Sequence, residues 1–247
     1  MIDIIEFDRF RDIKYYDRDH SYLIDGHRGF GVTGFISKFK QPFDSEKIAS
    51  KKSQELGIDK NLILDEWENA KHLGVDKGQL FHSYAENYLN NKIYPNTHPT
   101  DEALISNMEI LKEMFHRFVS DTANVLVPIK SELVVGDYES LLCGTIDQIY
   151  YNKKHDTLEI WDWKTNKKIA KENKYANFKE PISHIDQSEL NVYSLQLSCY
   201  KYIVEKTTKL KISECYLAWF NENNPKYKIF KCFDYTNEVK LMLEYNR

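Results

Sequence analysis

Two runs of β-forming residues joined by a polar turn constrain this chain more than any other feature. Leu141 to Tyr151 reads as one strand, and Thr157 to Trp163 as a second. Between them, Asn152-Lys153-Lys154-His155-Asp156 is polar and holds turn formers. A hairpin symmetric about Lys154-His155 sets Asp147 directly opposite Asp162. Opposed residues on one sheet face have Cβ atoms about 4.5–5.5 Å apart. Side chains alternate along a strand, so Leu158, Ile160, Asp162 and Lys164 share a face. One patch then carries two carboxylates and an ammonium.

Like charges placed opposite each other destabilise a sheet unless something neutralises them. Lys164 alone would make this a surface ion-pair cluster, which is the plainer reading. A hard divalent cation is the other. Mg²⁺ prefers carboxylate oxygens, retains waters and accepts phosphate oxygens.

The wording around the two aspartates favours the cation. Gly144-Thr145-Ile146-Asp147 on the first strand and Asp162-Trp163-Lys164-Thr165 on the second resemble the PD-(D/E)XK nucleases, in their RecB-like branch. The resemblance makes Asp147 the first metal-binding aspartate and Asp162 and Lys164 the D/E-x-K pair. It makes the Trp163 carbonyl a further metal ligand, and Thr165 a frequent companion of the lysine. It implies an α/β fold: a restriction-endonuclease-like core with a mixed β-sheet flanked by helices, carrying a helical N-terminal elaboration.

Further motifs follow in the family's order. Gly78-x-x-x-His82-x-x-x-Glu86 lies in a helical segment from Gly74 to Asn91, with His82 and Glu86 on one face. A lone helical histidine is more often a solvated or satisfied residue. The resemblance instead makes His82 a metal ligand and Glu86 a supporting group. Imidazole suits Mn²⁺ better than Mg²⁺, so either ion is expected. Ser131-Glu132 resembles another recurrent acidic position, although Glu132 is otherwise just a strand-end charge. Downstream, Tyr193, Gln196 and Tyr200 share a face of a helix from Gln187 to Lys206. Taken alone they form a buried aromatic stripe with one polar residue. They also resemble the Gln-x-x-x-Tyr motif of the RecB-like branch. Gln196, having both donor and acceptor groups, would bond the substrate backbone or orient Lys164, and Tyr200 would touch phosphate or stack on a base. The resemblance covers residues 74 to 205. More loosely, Val32-Thr33-Gly34-Phe35-Ile36-Ser37 and the Pro42-Phe43-Asp44 turn resemble mitochondrial genome maintenance exonucleases and phage-encoded relatives.

A chain of 247 residues can bury one sizeable core, so a single nuclease domain over 1–247 is expected, with 1–125 mainly helical behind an N-terminal hairpin and 126–247 the catalytic α/β core. There is no long apolar run and no charged-then-apolar leader, so neither a membrane nor secretion is expected, and the expected location is cytoplasmic. Cys143, Cys199, Cys215 and Cys232 are widely spaced. They read as reduced and buried, and they lack the close grouping of the iron–sulfur cluster that some RecB-like nucleases carry.

The net charge of −4 makes the whole molecule no polyanion binder, so local charge decides. Lys167, Lys168, Lys171, Lys174 and Lys179 follow the D-x-K strand, with Tyr175 and Phe178 interleaved. Lys38, Lys40, Lys47, Lys51 and Lys52 form a second group. Either is a solvated face or a nucleic-acid contact. Lysines hold phosphate without reading sequence, and aromatics stack on unpaired bases.

Helices are expected over Asp44 to Leu56, Leu62 to His72, Gly74 to Asn91 and Asp101 to Asp121, with a break from Asn90 to Thr100. A strand is expected near Ile129 to Val135 and a closing hairpin about Asn223-Asn224-Pro225. The resemblance implies a metal-dependent deoxyribonuclease, an exonuclease on single-stranded DNA ends. Bound metal would activate water, and Lys164 would orient it, help deprotonate it or counter developing charge. An endonuclease of the same fold, or an inactive nucleic-acid-binding module, are the alternatives.

Overall fold

The computed structural model describes residues 2–16, 18–92 and 101–246. A 3-10 helix (Ile4–Phe10) leads into strands β1 (Lys14–Tyr16), β2 (Ser21–Ile24) and β3 (His27–Gly31). Helices α1 (Val32–Lys38), α2 (Ser45–Leu56), α3 (Lys60–Leu89) and α4 (Glu102–Thr122) follow. Then come β4 (Leu126–Gly136), β5 (Leu142–Asn152), β6 (Thr157–Lys164), α5 (Glu189–Thr207), β7 (Ile212–Trp219), β8 (Lys228–Lys231) and α6 (Thr236–Tyr245).

Helix starts follow the capping residues. Asp44, Asp59, Asp101 and Ser188 each cap a helix by accepting a backbone N–H of its first turn. Gly57 closes α2 in the left-handed region, at φ 69°. The two helices expected between Leu62 and Asn91 are one continuous helix of 30 residues. Gly74 is the expected boundary, but a lone glycine costs a helix only about 1 kcal/mol and removes no hydrogen bond. The expected break after Asn90 falls mainly on residues 93–100, outside the described residues. The N-terminal hairpin gains a third strand, β3, and a following helix, α1. His27–Gly31 holds two glycines and looks like a poor strand, yet pairing on both edges fixes it. Burial of Val32, Phe35 and Ile36 outweighs the weak helix propensity of α1.

The sheet is mixed and runs β1-β2-β3-β5-β6-β7-β8, with β4 also pairing with β5. The β4–β5 and β5–β6 pairs are antiparallel, whereas β6 and β7 run parallel, joined by α5. Strand β6 shows the two-sided burial. Leu158 and Ile160 join the core beneath α1, α5 and α6. Trp161 and Trp163 join an aromatic layer with Phe81 of α3 and Phe115 and Phe118 of α4. Burying a large apolar side chain contributes about 1.5–3 kcal/mol, so each layer is anchored by several such residues.

One detail of the ladder makes room for a site. On the edge of β5 away from β4, β3 pairs only with Leu142 and Cys143, and β6 only from Gln148 onward. The edge of residues 144–147 between them pairs with neither strand. That notch opens at Asp147.

Candidate metal and active site

The expected hairpin register is the observed one. Gln148 pairs with Trp161, and the same register runs to Asn152 and Thr157. The ladder ends just short of the point where Asp147 and Asp162 would meet. Asp147 Oδ2 instead accepts the Trp163 backbone N–H at 2.8 Å, closing the ladder with a side chain. On the other edge, Ser131 pairs with Gln148 and Leu133 with Ile146, which sets Glu132 level with Asp147. Glu132, Asp147 and Asp162 therefore occupy one row across β4, β5 and β6. Glu132 has φ 48°, which costs a non-glycine residue about 1–2 kcal/mol. Backbone strain of this kind collects where a side chain must be aimed.

Helix α3 brings His82 to this row. Its Nε2–H donates to the Trp163 carbonyl at 2.9 Å. Its Nδ1 lies 3.4 Å from Asp147 Oδ2 and 3.8 Å from Glu132 Oε1. His82, Glu132 and Asp147 offer ligand atoms within 4.8 Å of one another. Glu132, expected only as support, stands in the converging set, and Asp162, expected as a ligand beside His82 and Asp147, does not. The Trp163 carbonyl, expected to face a metal, accepts the imidazole N–H. That bond fixes the tautomer and leaves Nδ1 facing the carboxylates, the arrangement common around metal-ligating histidines.

Asp162 lies one strand over, its Oδ2 2.5 Å from Lys164 Nζ. That close ion pair holds Oδ2, whereas Oδ1 is buried with no hydrogen-bond partner among the described residues. Such an atom in a native fold calls for an explanation, and a bound ion is one. The donor set here is all carboxylate and imidazole, which fits Mg²⁺ or Mn²⁺. Lys164 also sits over the Tyr193 ring, 4.5 Å from its centroid. Tyr193 in turn accepts a hydrogen bond from Asn166 Nδ2 at 2.8 Å.

The charges of this cluster hold one another in place. Burial works against a charged His82, but the charge of Asp147 and hydrogen bonding to Asp147 and Glu132 push its pKa up to about 10. Burial likewise raises Asp147, yet His82 and Lys164 bring it below the usual carboxylate range. Burial lifts Asp162 to about 6, against the pull of Lys164. Burial also works against a charged Lys164, but Asp162 and Asp147 outweigh it and push the ammonium above its ordinary value. Glu132 is raised chiefly by burial.

Other expected residues fall around this centre. Gln196 Nε2 donates to the Tyr200 hydroxyl at 3.0 Å. The Tyr200 ring is buried against Gly144, where an added Cβ would run into it. Gly144 of the GTID run is therefore a packing requirement. Buried Tyr200 and Phe178 have no face for a base to stack on, which corrects that expectation. Thr165 is buried, and Glu86 pairs with Lys92 at 3.2 Å. Lys167 and Lys168 are exposed just past β6, and Tyr175 is 98 % exposed. Lys51 and Lys52 of the second basic group face Glu55 and the Trp67 ring. The four cysteines are buried and unpaired. Among the described residues, no helix is long and apolar enough to cross a membrane.

Two similar solved structures are an alkaline exonuclease (LHK-Exo) from Laribacter hongkongensis and a protein titled SSO0001. The first has a TM-score of 0.34 and 10 % identity, covering 71 % of this chain and 89 % of that one. The second has a TM-score of 0.31 and 13 % identity, covering 98 % and 83 %. Likeness at that level carries no argument about activity. No curated protein matches the chain. The family model of the PD-(D/E)XK nuclease superfamily matches residues 60–240, which span the helix bearing His82, the carboxylate row, Lys164 and α5. By that match the chain belongs to the PD-(D/E)XK nuclease superfamily.

Proposed function

We propose that this nuclease is a divalent-metal-dependent DNA exonuclease of the RecB-like kind, hydrolysing phosphodiester bonds at single-stranded ends. The observation that carries the hydrolytic reading is the row Glu132, Asp147 and Asp162 beside Lys164, with Asp162 Oδ1 buried and without a hydrogen-bond partner.

His82 through Nδ1, Glu132 and Asp147 would hold a divalent ion, with Asp162 at its edge. Such an ion supplies a more acidic water and charge stabilisation on the phosphate. The chain's own groups do the rest. The Trp163 carbonyl fixes the imidazole so that Nδ1 faces the carboxylates. Lys164, held between Asp162 and the Tyr193 ring, stays an ammonium at neutral pH. An ammonium is no base. Its role is to orient the attacking water or a phosphate oxygen and to counter the charge that develops on phosphorus oxygens. Gln196 fixes the Tyr200 hydroxyl and keeps an amide oxygen to accept from substrate or water. Lys167 and Lys168 neutralise phosphates of the strand leaving the centre.

The preference for ends rests on the loose likeness to end-dependent exonucleases and on the long helix α3, which brings His82 to the centre and carries α2 on its N-terminal part. The test is a time course on linear and circular single-stranded DNA of one sequence, with Mg²⁺ or Mn²⁺. Linear strands should disappear while circles persist. Comparable loss of circles points to an endonuclease, and persistence of both with either metal removes the catalytic reading. A matching RNA strand, degraded equally, would remove the DNA preference.

A further inference from the structure

A cavity of about 830 Å³ adjoins the candidate centre, and nothing described so far uses it. One wall is the middle of α3 around Lys71, Gly74 and Lys77. A second is the exit of β6, from Thr165 to Lys167, and a third is the first turns of α4, including Asn107. Its size falls within the roughly 300–1,000 Å³ of ordinary ligand sites. Its lining begins at Thr165, the residue after Lys164 at the exit of the catalytic strand. Positions 71, 74, 78 and 82 lie on one face of α3, so the cavity wall and His82 belong to one stripe of one rigid helix.

Gly74 is the telling residue. Glycine in a helix interior is costly, and among the described residues no atom outside the helix's own neighbouring backbone lies within 4 Å of where its Cβ would be. Internal packing therefore gives no reason for a glycine there. A bare helix surface does suit close approach by something that enters the cavity. The lining fits a phosphodiester strand. Lys167 is an exposed ammonium group for phosphate, Lys71 is exposed with its ammonium 3.3 Å from Glu68, and Asn107 offers an amide, while the Asp101 carboxylate in the lining accepts the Leu104 N–H. Lys77, bonded to Glu222 at 2.9 Å, braces the wall.

We infer that this cavity seats the single strand next to the bond being cut, with Gly74 as the surface its backbone lies against. The inference rests on the nuclease reading of the adjoining centre. A cavity of this volume takes a few unpaired nucleotides.

The experiment measures kcat and KM for degradation of linear single-stranded DNA by the full chain and by Gly74→Leu. Leucine is a far better helix former than glycine, and the Cβ at this position meets nothing within 4 Å. The variant should melt at the same temperature or higher. Its KM should rise about tenfold, with kcat changed much less, because the substituent fills the seat without touching the centre. Asn107→Phe fills the same cavity from α4 and should give the same split, so the inference stays testable if Gly74→Leu fails to fold. A folded variant with wild-type KM overturns it. Blunt duplex competing as well as single strand overturns the single-strand assignment. Failure of the wild-type chain to cut any strand with Mg²⁺ or Mn²⁺ is a separate result, and it removes the reading of the centre together with this one.

Discussion

Metal binding should expel a proton from His82. In the metal-free protein Asp147 and Glu132 hold this imidazole as a cation, with a pKa of about 10. Its Nε2–H is committed to the Trp163 carbonyl. A ligating Nδ1 must therefore give up its own hydrogen. The sign follows directly. Below the raised pKa the cation competes with a proton, so affinity climbs with pH until about 10 and levels off above it. At pH 7.5 the imidazole lies about 2.5 pH units below its pKa, which at 1.36 kcal/mol per unit costs binding about 3 kcal/mol. That is an upper figure, because the side chain keeps 30 % of its surface and solvent screens the pair. Between pH 7 and 9, log affinity should rise by about one per pH unit. Below about pH 6 protonation of Asp162 should steepen it. The assay is calorimetric titration of Mn²⁺ in two buffers of different ionisation enthalpy at one pH, which counts the protons released. About one is expected for the natural chain and about none for His82→Asn. Tight Mn²⁺ binding with no proton release by the natural chain would refute both the charged imidazole and its place among the ligands.

Three further changes probe the same centre. Lys164→Met should lower kcat by about 10²–10³ while the protein remains folded, since it removes a preorganised charge from the reacting phosphate; normal turnover at saturating metal would take Lys164 out of the chemistry. Gly144→Ala should destabilise by about 1–3 kcal/mol, because its methyl meets the buried Tyr200 ring and that ring has nowhere to go; an unchanged denaturant midpoint would show that the ring yields freely. Charge reversal at Lys167 and Lys168 should weaken DNA binding without altering base preference, and each lost phosphate contact should flatten the log–log salt slope by about 0.7. An unchanged slope would make both lysines a solvated face.

Where sequence and structure agree, the agreement has a local cause. The β5–β6 register is legible because the Asn152–Asp156 turn is short and polar, leaving the strands few ways to pair. His82 is legible only through the resemblance of the Gly78–His82–Glu86 run to the family's motif, since helical spacing alone fits a solvated histidine as well. The rank of Glu132 is not legible from residue types. It depends on a shift in the β4–β5 ladder between Pro128 and Lys130 and on a positive φ at Glu132 itself. Neither leaves a compositional trace. Tyr200 and Phe178 mislead for the opposite reason. Aromatics among polar residues look available for stacking, but only tertiary packing decides which of them are buried. The continuity of α3 through Gly74 escapes a sequence reading for the same kind of reason, since a single glycine marks a boundary only when a cap accompanies it.

The centre also shows why such a row can be assembled at all. Three carboxylates level with one another would repel across neighbouring strands, and in the metal-free protein His82 and Lys164 answer that charge from two different elements. The answer is uneven. His82 stands between Glu132 and Asp147, whereas Lys164 reaches only Oδ2 of Asp162 and leaves buried Oδ1 without a hydrogen bond. The imbalance lies at the notch where β5 and β6 diverge, because that is where the ladder can give up a backbone pair and let the Asp147 side chain take its place. A divalent ion that displaces the His82 proton supplies more positive charge than it removes. The same row that strains the metal-free fold should then stabilise the loaded one, which couples the opening of the sheet to the binding of the ion.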